Sequence, residues 1–351
     1  MPAHVTRPAI VHPPYWVTTD EICSNIAAHH PDHPRLEVAL RIIRNTGVQK
    51  RAFAHPLDSE LVSGNLGFFT RNAAAWTDTK RLAEQAAQQA ITQAGLTPPD
   101  IDAVVTSHTT SWSVPQLDVH LIEALALRPD VRRLALTTLG CIGGTQALAK
   151  AADLIAARPG TRILVVVSEV ISTTYNHDKT SIQSMIYKGL FGDSAAACIV
   201  TDTPLSPGLR IDDSWEYLLP GSQDTSYWGA VDQAGFDFDS HPDAKKAPGR
   251  VMPALRDWLK QRDALNPDFA ITHAGGPAIL TAVEKGGLGI TRDHLAPSQA
   301  SLEQVGNLGG ASALDVLRRT HDTPPPAGDG GVMLAFGPGF TTTALTGTWV
   351  A

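Results

Sequence analysis

Cys141 is the side chain with the clearest chemical potential. It stands where an apolar run, residues 134–136, turns into an Ala-rich segment at 146–157 that predicts a helix. A thiol at the start of a helix faces its positive end, where the dipole and free backbone N–H groups stabilise a thiolate. Gly143 and Gly144 would leave room for a substrate beside the sulfur. The pattern predicts a nucleophile elbow with Cys in place of Ser, and a buried, unreactive cysteine is the alternative.

Two other polar side chains are predicted at the ends of apolar strands, beside glycines. His273 follows the apolar residues 269–272, and Asn307 follows Val305 and a glycine. An imidazole can keep a thiol deprotonated and can donate a hydrogen bond to a thioester oxygen. A carboxamide can donate a second hydrogen bond to the same oxygen without adding a charge. Cys141, His273 and Asn307 so placed can converge on one carbonyl group, but their spacing alone does not show this, and a histidine after a strand is more often structural.

The segments around these residues alternate between strand and helix patterns. The runs that predict buried strands include residues 102–106, 163–167 and 194–200. Amphipathic spacing predicts a helix at 79–94. The pattern at 65–76 is ambiguous, and residues 218–248 form a polar segment to which no element is assigned. Because strands and helices alternate in both halves, we expect an α/β chain with layered sheets.

The composition is that of an ordinary globular enzyme. The 351 residues are 43% hydrophobic and 18% charged, and the formal net charge is -7. Since nucleic-acid-binding domains carry a basic surface, this balance argues against a nucleic-acid partner. An odd number of cysteines, 3, suits a reducing compartment. No apolar run has the length of a signal peptide or a membrane span, so we expect a cytoplasmic protein without a membrane partner.

Five short motifs are spread along the chain. They are Gly140-Cys141 with the glycines that follow, Leu190-Phe191-Gly192-Asp193, His273-Ala274-Gly275-Gly276-Pro277, Gly306-Asn307 and Phe336-Gly337-Pro338-Gly339. In this order they resemble the type III polyketide synthases, the chalcone-synthase-like branch of the thiolase superfamily. The opening at residues 35–51 is most similar to the bacterial group that includes tetrahydroxynaphthalene synthase. The resemblance implies the five-layered αβαβα thiolase fold, with related halves at 1–205 and 206–351, and a homodimer.

The resemblance also implies a reaction. Cys141 would take a starter acyl group from a CoA thioester, and His273 would maintain its thiolate. His273 and Asn307 would hold the thioester oxygen of malonyl-CoA while it loses carbon dioxide, and the resulting enolate would attack the acyl group on Cys141. The implied partners are acyl-CoA and malonyl-CoA, with a carrier protein as another means of delivering the starter. No cofactor and no metal is implied.

Three other functions fit parts of the pattern. A thiolase-fold acyltransferase would move an acyl group from Cys141 to an alcohol or amine without chain extension. A hydrolase of the papain type also uses Cys, His and Asn, and a non-catalytic protein could retain the fold alone. Release of carbon dioxide from malonyl-CoA distinguishes the condensing enzyme from the acyltransferase.

The resemblance assigns a second group of residues to substrate binding. Phe191 matches an aromatic gatekeeper between CoA tunnel and cavity, and Phe238 matches its partner, with core packing as the alternative for each. Lys50 matches a basic residue of the rim that binds the CoA phosphates. The residues matched to the wall of the cavity are Thr109, Thr110, Trp112, Ile171, Thr174 and Gly229.

Two of these residues bear on product size. A bulky Trp112 and an apolar Ile171 would narrow and dry the cavity, so we expect few extensions and a diketide or triketide product. Thr109 stands where the tetrahydroxynaphthalene synthases have a cysteine, and this difference argues against a naphthalene product.

A group of histidines near the N-terminus resembles a metal cluster. His29, His30 and His33 lie close together in the sequence, but Pro31 interrupts them. Because no predicted strand or helix holds the three in register, we do not expect them to bind a metal.

Overall fold

The computed structural model describes residues 2–351. Its strands are β1 (Ala3–Val5), β2 (Ala9–Val11), β3 (Tyr15–Thr18), β4 (Lys50–Phe53), β5 (Ala103–His108), β6 (Arg132–Thr137), β7 (Ile163–Glu169), β8 (Ser194–Thr201), β9 (Gly208–Leu218), β10 (Tyr227–Asp232), β11 (Gly235–Ser240), β12 (Phe269–Thr272), β13 (Gly330–Gly337) and β14 (Thr341–Val350). Its helices are α1 (Thr19–His29), α2 (Leu36–Arg44), α3 (Phe68–Gln93), α4 (Leu117–Ala124), α5 (Gly143–Ala157), α6 (Ile182–Leu190), α7 (Ala247–Lys260), α8 (Pro277–Glu284), α9 (Ala296–Val305) and α10 (Ser312–Thr320).

Ten strands form one sheet in the order β12-β13-β14-β9-β1-β8-β7-β5-β6, and β2 also pairs with β8. The strand β1 pairs with both β8 and β9, so it connects the two halves of the sheet. Strands β7 and β8 are rich in Val and Ala and are buried at every position, as expected of strands that are covered on both faces. The predicted boundary between residues 205 and 206 falls in the loop between β8 and β9.

Three layers of helices alternate with the two halves of the sheet. Helices α3 and α4 cover the outer face of β5, β7 and β8. Helices α5 and α10 lie in the middle, where Leu148 and Leu314 pack with residues from both sheet halves, such as Val165 and Met333. Helices α7 and α8 cover the outer face of β12 and β13. Each helix buries its apolar face against a sheet, and the resulting order of layers confirms the predicted αβαβα thiolase fold.

The elements before the three predicted reactive residues differ. Cys141 follows β6 and lies in the 3₁₀ turn Gly140–Ile142, directly before α5. His273 directly follows β12. Asn307 follows α9, so the prediction of a strand before it is wrong. A single apolar residue followed by a glycine fits a helix end as well as a strand end, and here Gly306 has the positive φ of 75° that a helix terminus favours.

The sequence pattern did not predict the secondary structure of two segments. The ambiguous residues 65–76 belong largely to α3, which continues without a break into the predicted helix at 79–94. The polar segment at 218–248 contains the antiparallel hairpin of β10 and β11, in which Gly229 pairs with Phe238. Its strands alternate apolar and acidic residues around Phe236 and Phe238, and they are ordered by contacts with distant elements rather than by their own hydrophobicity.

Candidate active site

The three predicted reactive side chains line one cavity. Its volume is about 560 Å³, and Cys141, His273 and Asn307 all contribute to its wall. Cys141 and Asn307 are 166 residues apart in the chain, yet the Asn307 Nδ2 lies 3.5 Å from the Cys141 Sγ. The tertiary structure thus brings a thiol, an imidazole and a carboxamide to the same enclosed space.

The turn that carries Cys141 is fixed by close backbone packing. Gly140 has a positive φ of 58°, and a side chain there would also contact Pro338. A Cβ on Gly143 would meet the Ser107 hydroxyl, and one on Gly144 would meet the backbone of the turn after Asn307. The two glycines therefore let α5 begin against neighbouring strands and turns, rather than making room for a substrate as we expected.

A hydrogen bond to His273 fixes which of its two ring nitrogens carries the proton. The Phe336 backbone N–H donates to His273 Nδ1 at 3.4 Å, which assigns the proton of the neutral ring to Nε2. A side chain at Gly275 would collide with Nε2, so the glycine that follows the histidine keeps this nitrogen accessible. The arrangement presents an N–H donor at the cavity wall.

The carboxamide of Asn307 is oriented in a similar way. Its Oδ1 accepts the Gly309 backbone N–H at 2.9 Å, so the amide nitrogen points toward Cys141. The Asn307 backbone also donates to the Leu190 carbonyl at 2.9 Å and accepts the Gly192 N–H at 3.0 Å. These bonds pre-organise the Nδ2 donor beside the sulfur, as electrostatic stabilisation of an oxyanion requires.

The protonation of this pair follows from burial. Burial raises the pKa of the Cys141 thiol to about 12, and the hydrogen bond from Asn307 opposes this shift only in part. Burial also lowers the pKa of His273 to about 3. Both shifts favour a neutral thiol and a neutral imidazole in the free chain. The position of Cys141 at the start of α5 predicted a stabilised thiolate instead. A thiolate must then form together with transfer of its proton.

Glu169, which the sequence analysis did not select, contributes a fully buried carboxyl group to the cavity wall. It ends β7, and it accepts hydrogen bonds from the Thr109 hydroxyl at 2.9 Å and the Thr109 backbone N–H at 3.1 Å. Burial raises the pKa of Glu169 to about 8, so the group is protonated at neutral pH. A glutamate two positions after a run of five apolar residues was the available sequence signal, since such a position is buried in a central strand.

We expect Glu169→Gln to change the pH dependence of stability. Between roughly pH 4 and 8 the unfolded chain ionises this carboxyl and the folded chain does not, so stability falls as the pH rises through this range. Gln cannot ionise and therefore removes a cost on the order of a few kcal/mol at pH 8. Thermal unfolding at pH 5, 7 and 8.5 should show the variant gaining a few degrees over the wild type as the pH rises. Parallel curves for the two proteins would contradict a protonated Glu169.

Four of the predicted substrate residues lie at the cavity wall. Phe191, Phe238, Thr109 and Ile171 contribute to its lining, and the rings of Phe191 and Phe238 are 5.6 Å apart. Phe191 lies next to Asn307 through a β-bridge, so this ring is close to the reactive groups. Thr174 instead lines a separate, small cavity behind Phe191 and Phe238.

The remaining four predicted substrate residues lie outside the large cavity; they are Thr110, Trp112, Gly229 and Lys50. Thr110 is buried and its hydroxyl donates to the Val170 carbonyl at 2.9 Å. Gly229 is exposed on β10, and the Lys50 ammonium lies 4.7 Å from the ring of Trp16 at the surface.

Trp112 does not fill the cavity as we expected. Its side chain is 44% exposed and packs edge-on against Phe68 and Phe236. The polypeptide after β5 carries this residue away from the reactive groups, a direction that side-chain size alone does not reveal. Of the two residues expected to narrow the cavity, only Ile171 contributes to its wall.

Residues 2–351 contain neither a candidate metal cluster nor a helix that could span a membrane. Their His, Cys, Asp and Glu side chains form no group of three or more that could hold a metal ion. His30 and His177 are hydrogen-bonded to each other at 2.9 Å, so part of the histidine cluster is engaged within the protein. In the same range, no helix has both the length and the apolar character needed to cross a membrane.

Two family models match the chain. The model of chalcone and stilbene synthases, N-terminal domain, matches residues 60–204, and the model of their C-terminal domain matches residues 211–348. The chain belongs to the chalcone and stilbene synthases. Together the two matches include Cys141 in the first domain and His273 and Asn307 in the second.

Characterised relatives extend over the whole chain. The phloroglucinol synthase of Pseudomonas fluorescens is 31% identical over 347 residues, which cover 98% of both proteins. The 1,3,6,8-tetrahydroxynaphthalene synthase of Streptomyces coelicolor is 32% identical over 352 residues, which cover 99% of this chain and 92% of that protein.

Solved structures agree with this assignment. The 1,3,6,8-tetrahydroxynaphthalene synthase of Streptomyces coelicolor, a bacterial type III polyketide synthase, superposes with a TM-score of 0.94 at 31% identity and covers 99% of both chains. Germicidin synthase from the same organism superposes with a TM-score of 0.92 at 32% identity over the full length of both. The protein is therefore a type III polyketide synthase, a transferase of the decarboxylative condensing class, and this class is favoured over an acyltransferase that does not extend its substrate.

Proposed function

We propose that the enzyme loads an acyl starter from acyl-CoA onto Cys141 and extends it with malonyl-CoA. The observation that carries this proposal is the orientation of two neutral donors toward one cavity. His273 Nε2 carries a proton because Nδ1 accepts from Phe336, and Asn307 Nδ2 lies beside the sulfur because Oδ1 accepts from Gly309. Two such donors can stabilise an enolate oxygen without adding a charged group.

In the loading step, the Cys141 sulfur attacks the starter thioester and CoA leaves as a thiolate. The Cys141 sulfur must first give up its proton, which ends on the departing CoA sulfur, while His273 keeps its own proton on Nε2 and donates it to the sulfur as a hydrogen bond. The acyl group then forms a thioester with Cys141. Because burial lowers the pKa of His273 to about 3, the imidazole stays uncharged and acts as a neutral donor.

In the extension step, the bond between the malonyl carboxylate and its α-carbon breaks. Carbon dioxide leaves, and the electron pair forms an enolate whose oxygen accepts hydrogen bonds from His273 and Asn307. The enolate carbon attacks the acyl-Cys141 carbonyl, and the Cys141 sulfur leaves as a thiolate. The product is a β-ketoacyl-CoA that is two carbons longer than the starter.

We propose that CoA enters from the end of the cavity distant from Cys141. The lining includes Asn45, Gln183, His241 and Lys245, of which Asn45 and Lys245 are exposed at the surface. A lysine and a histidine at such an opening suit the phosphates of CoA. Lys50 lies outside this lining, and its assignment to the phosphate rim stays a prediction.

We further propose that two copies form a homodimer. Strand β6 is an edge of the large sheet, and an exposed edge can pair with a second chain. Phe69 is 87% exposed and Val114 is 96% exposed, which is unusual for apolar side chains of this size on a monomer. In the dimer that the family resemblance implies, Val114 would reach the cavity of the other subunit.

The test is an incubation with labelled malonyl-CoA and a panel of acyl-CoA starters, analysed for carbon dioxide and product mass. We expect carbon dioxide release and a diketide or triketide product, because Ile171 keeps the wall beside Gly309 apolar and close. The same incubation with starters on a carrier protein would show which form delivers them.

Two outcomes would contradict parts of this proposal. Acyl transfer without carbon dioxide release would contradict chain extension. A pentaketide as the main product would contradict the expectation of few extensions. That expectation rests on Ile171 alone, because Trp112 lies outside the cavity.

A further inference from the structure

Lys188 is a buried cation close to the cavity wall, with no role in the proposed reaction. It lies on α6, three residues before Phe191, and is 5% exposed. Its ammonium donates to the Lys179 carbonyl at 2.8 Å and lies 6.0 Å from the ring of Tyr175. An ammonium has three donor hydrogens, so one carbonyl does not satisfy it.

Asp237 faces Lys188 across a small cavity. The aspartate is half-buried on β11, directly before Phe238. Both side chains line a cavity of about 20 Å³, which has room for one water molecule. Burial lowers the pKa of Lys188 to about 8, and the negative charge of Asp237 opposes this shift. The two groups therefore interact while the lysine is charged at neutral pH.

This small cavity lies directly behind the wall of the large one. Ile171, Tyr187, Phe191 and Phe238 contribute to both. On β11, Phe238 points to the large cavity, and the acidic residues beside it face α6 and the loop before it, where Ser181 donates to Asp239 at 3.2 Å. Asp237 thus lines the small cavity, whereas Asp239 contributes to the wall of the large one.

We infer that Lys188 and Asp237 form a water-bridged ion pair that fixes the spacing of Phe191 and Phe238. Lys188 lies on α6, which ends directly before Phe191, and Asp237 directly precedes Phe238 on β11. The pair ties α6 to β11 and therefore controls how wide the wall between them opens. Lys188 and Asp237 act as positioning residues, because neither contacts the reacting atoms.

The test measures how the wall admits reagents of different size to Cys141. The rate of Cys141 alkylation by N-phenylmaleimide is divided by the rate with iodoacetamide, and both are followed by peptide mass spectrometry. We expect Lys188→Met and Asp237→Leu each to raise this ratio by about fivefold, in the range for side chains that are energetically coupled. Either change leaves one charged group buried without its partner, which loosens the contact between α6 and β11.

The double variant distinguishes a pair from two separate structural effects. Lys188→Met with Asp237→Leu leaves no unpaired charge, so we expect the ratio to return to within about twofold of the wild type. Lys246→Met is the matched control, because Lys246 pairs with Asp243 at the surface, where an ion pair contributes little. This control should stay within about twofold of the wild type.

Other results would overturn the inference. It fails if the single variants leave the ratio unchanged, if their effects add in the double variant, or if Lys246→Met has the same effect. Should Lys188→Met not fold, Asp237→Asn removes the charge while keeping the shape of the side chain, and it should raise the ratio by itself. Alkylation needs no CoA substrate, so failure here leaves the proposed reaction intact.

Discussion

Replacing Cys141 with Ala is expected to lower the condensation rate by at least about 10⁴-fold, the scale on which loss of a covalent nucleophile acts. No other described cysteine can substitute, because Cys23 and Cys198 are buried in other parts of the chain. Mass spectrometry of the intact protein should no longer show an acyl adduct. Decarboxylation of malonyl-CoA to acetyl-CoA should persist, since His273 and Asn307 keep their donors.

Cys198→Ala is the matched control for this experiment. Cys198 lies on β8 with no exposed surface, so its thiol cannot be acylated, and the variant should condense at close to the wild-type rate. Condensation that survives in Cys141→Ala, or an acyl adduct that moves to another residue, would contradict Cys141 as the nucleophile.

Replacing Asn307 with Ala is expected to lower the rate of malonyl-CoA decarboxylation by roughly 10²–10³-fold, as loss of one oxyanion donor does in other enzymes. The variant removes the Nδ2 group that lies 3.5 Å from the sulfur. Acylation of Cys141 by a starter should remain measurable, because the sulfur and His273 are still present. The measurement is carbon dioxide release beside acyl-enzyme formation on the same protein.

Asn307→Asp provides a shape-matched comparison. The carboxylate can still accept the Gly309 N–H, so the local fold is retained. It has no hydrogen to donate and its charge repels an enolate, so decarboxylation should be at least as slow as in Asn307→Ala. A decarboxylation rate in Asn307→Asp close to that of the wild type would show that the donor is not needed.

Local sequence patterns were sufficient where a residue directly follows an apolar strand. His273 after residues 269–272 and Cys141 before an Ala-rich helix both lie in the predicted type of turn. Apolar runs and helix periodicity depend on neighbours in the chain, so they can be recognised without knowledge of the fold. The family resemblance added the layered architecture and the convergence of these residues with Asn307.

The predictions that failed depend on distant contacts. Trp112 was expected in the cavity, but it packs against Phe236 of the hairpin, a segment to which the sequence analysis assigned no element. Gly143 and Gly144 were expected to admit substrate, but they accommodate neighbouring backbone and a hydroxyl group. In each case the partner lies far away in the sequence.

The sequence by itself determined the types of the reactive groups and the turns that hold Cys141 and His273. Only the tertiary structure decided which nitrogen of His273 carries the proton, where the Asn307 amide points, and that Glu169 is a neutral acid beside Thr109. Hydrogen-bond partners and burial set these properties, and both arise when segments distant in the chain pack together. The chemistry of a side chain is encoded locally, whereas its protonation and direction depend on what the fold places around it.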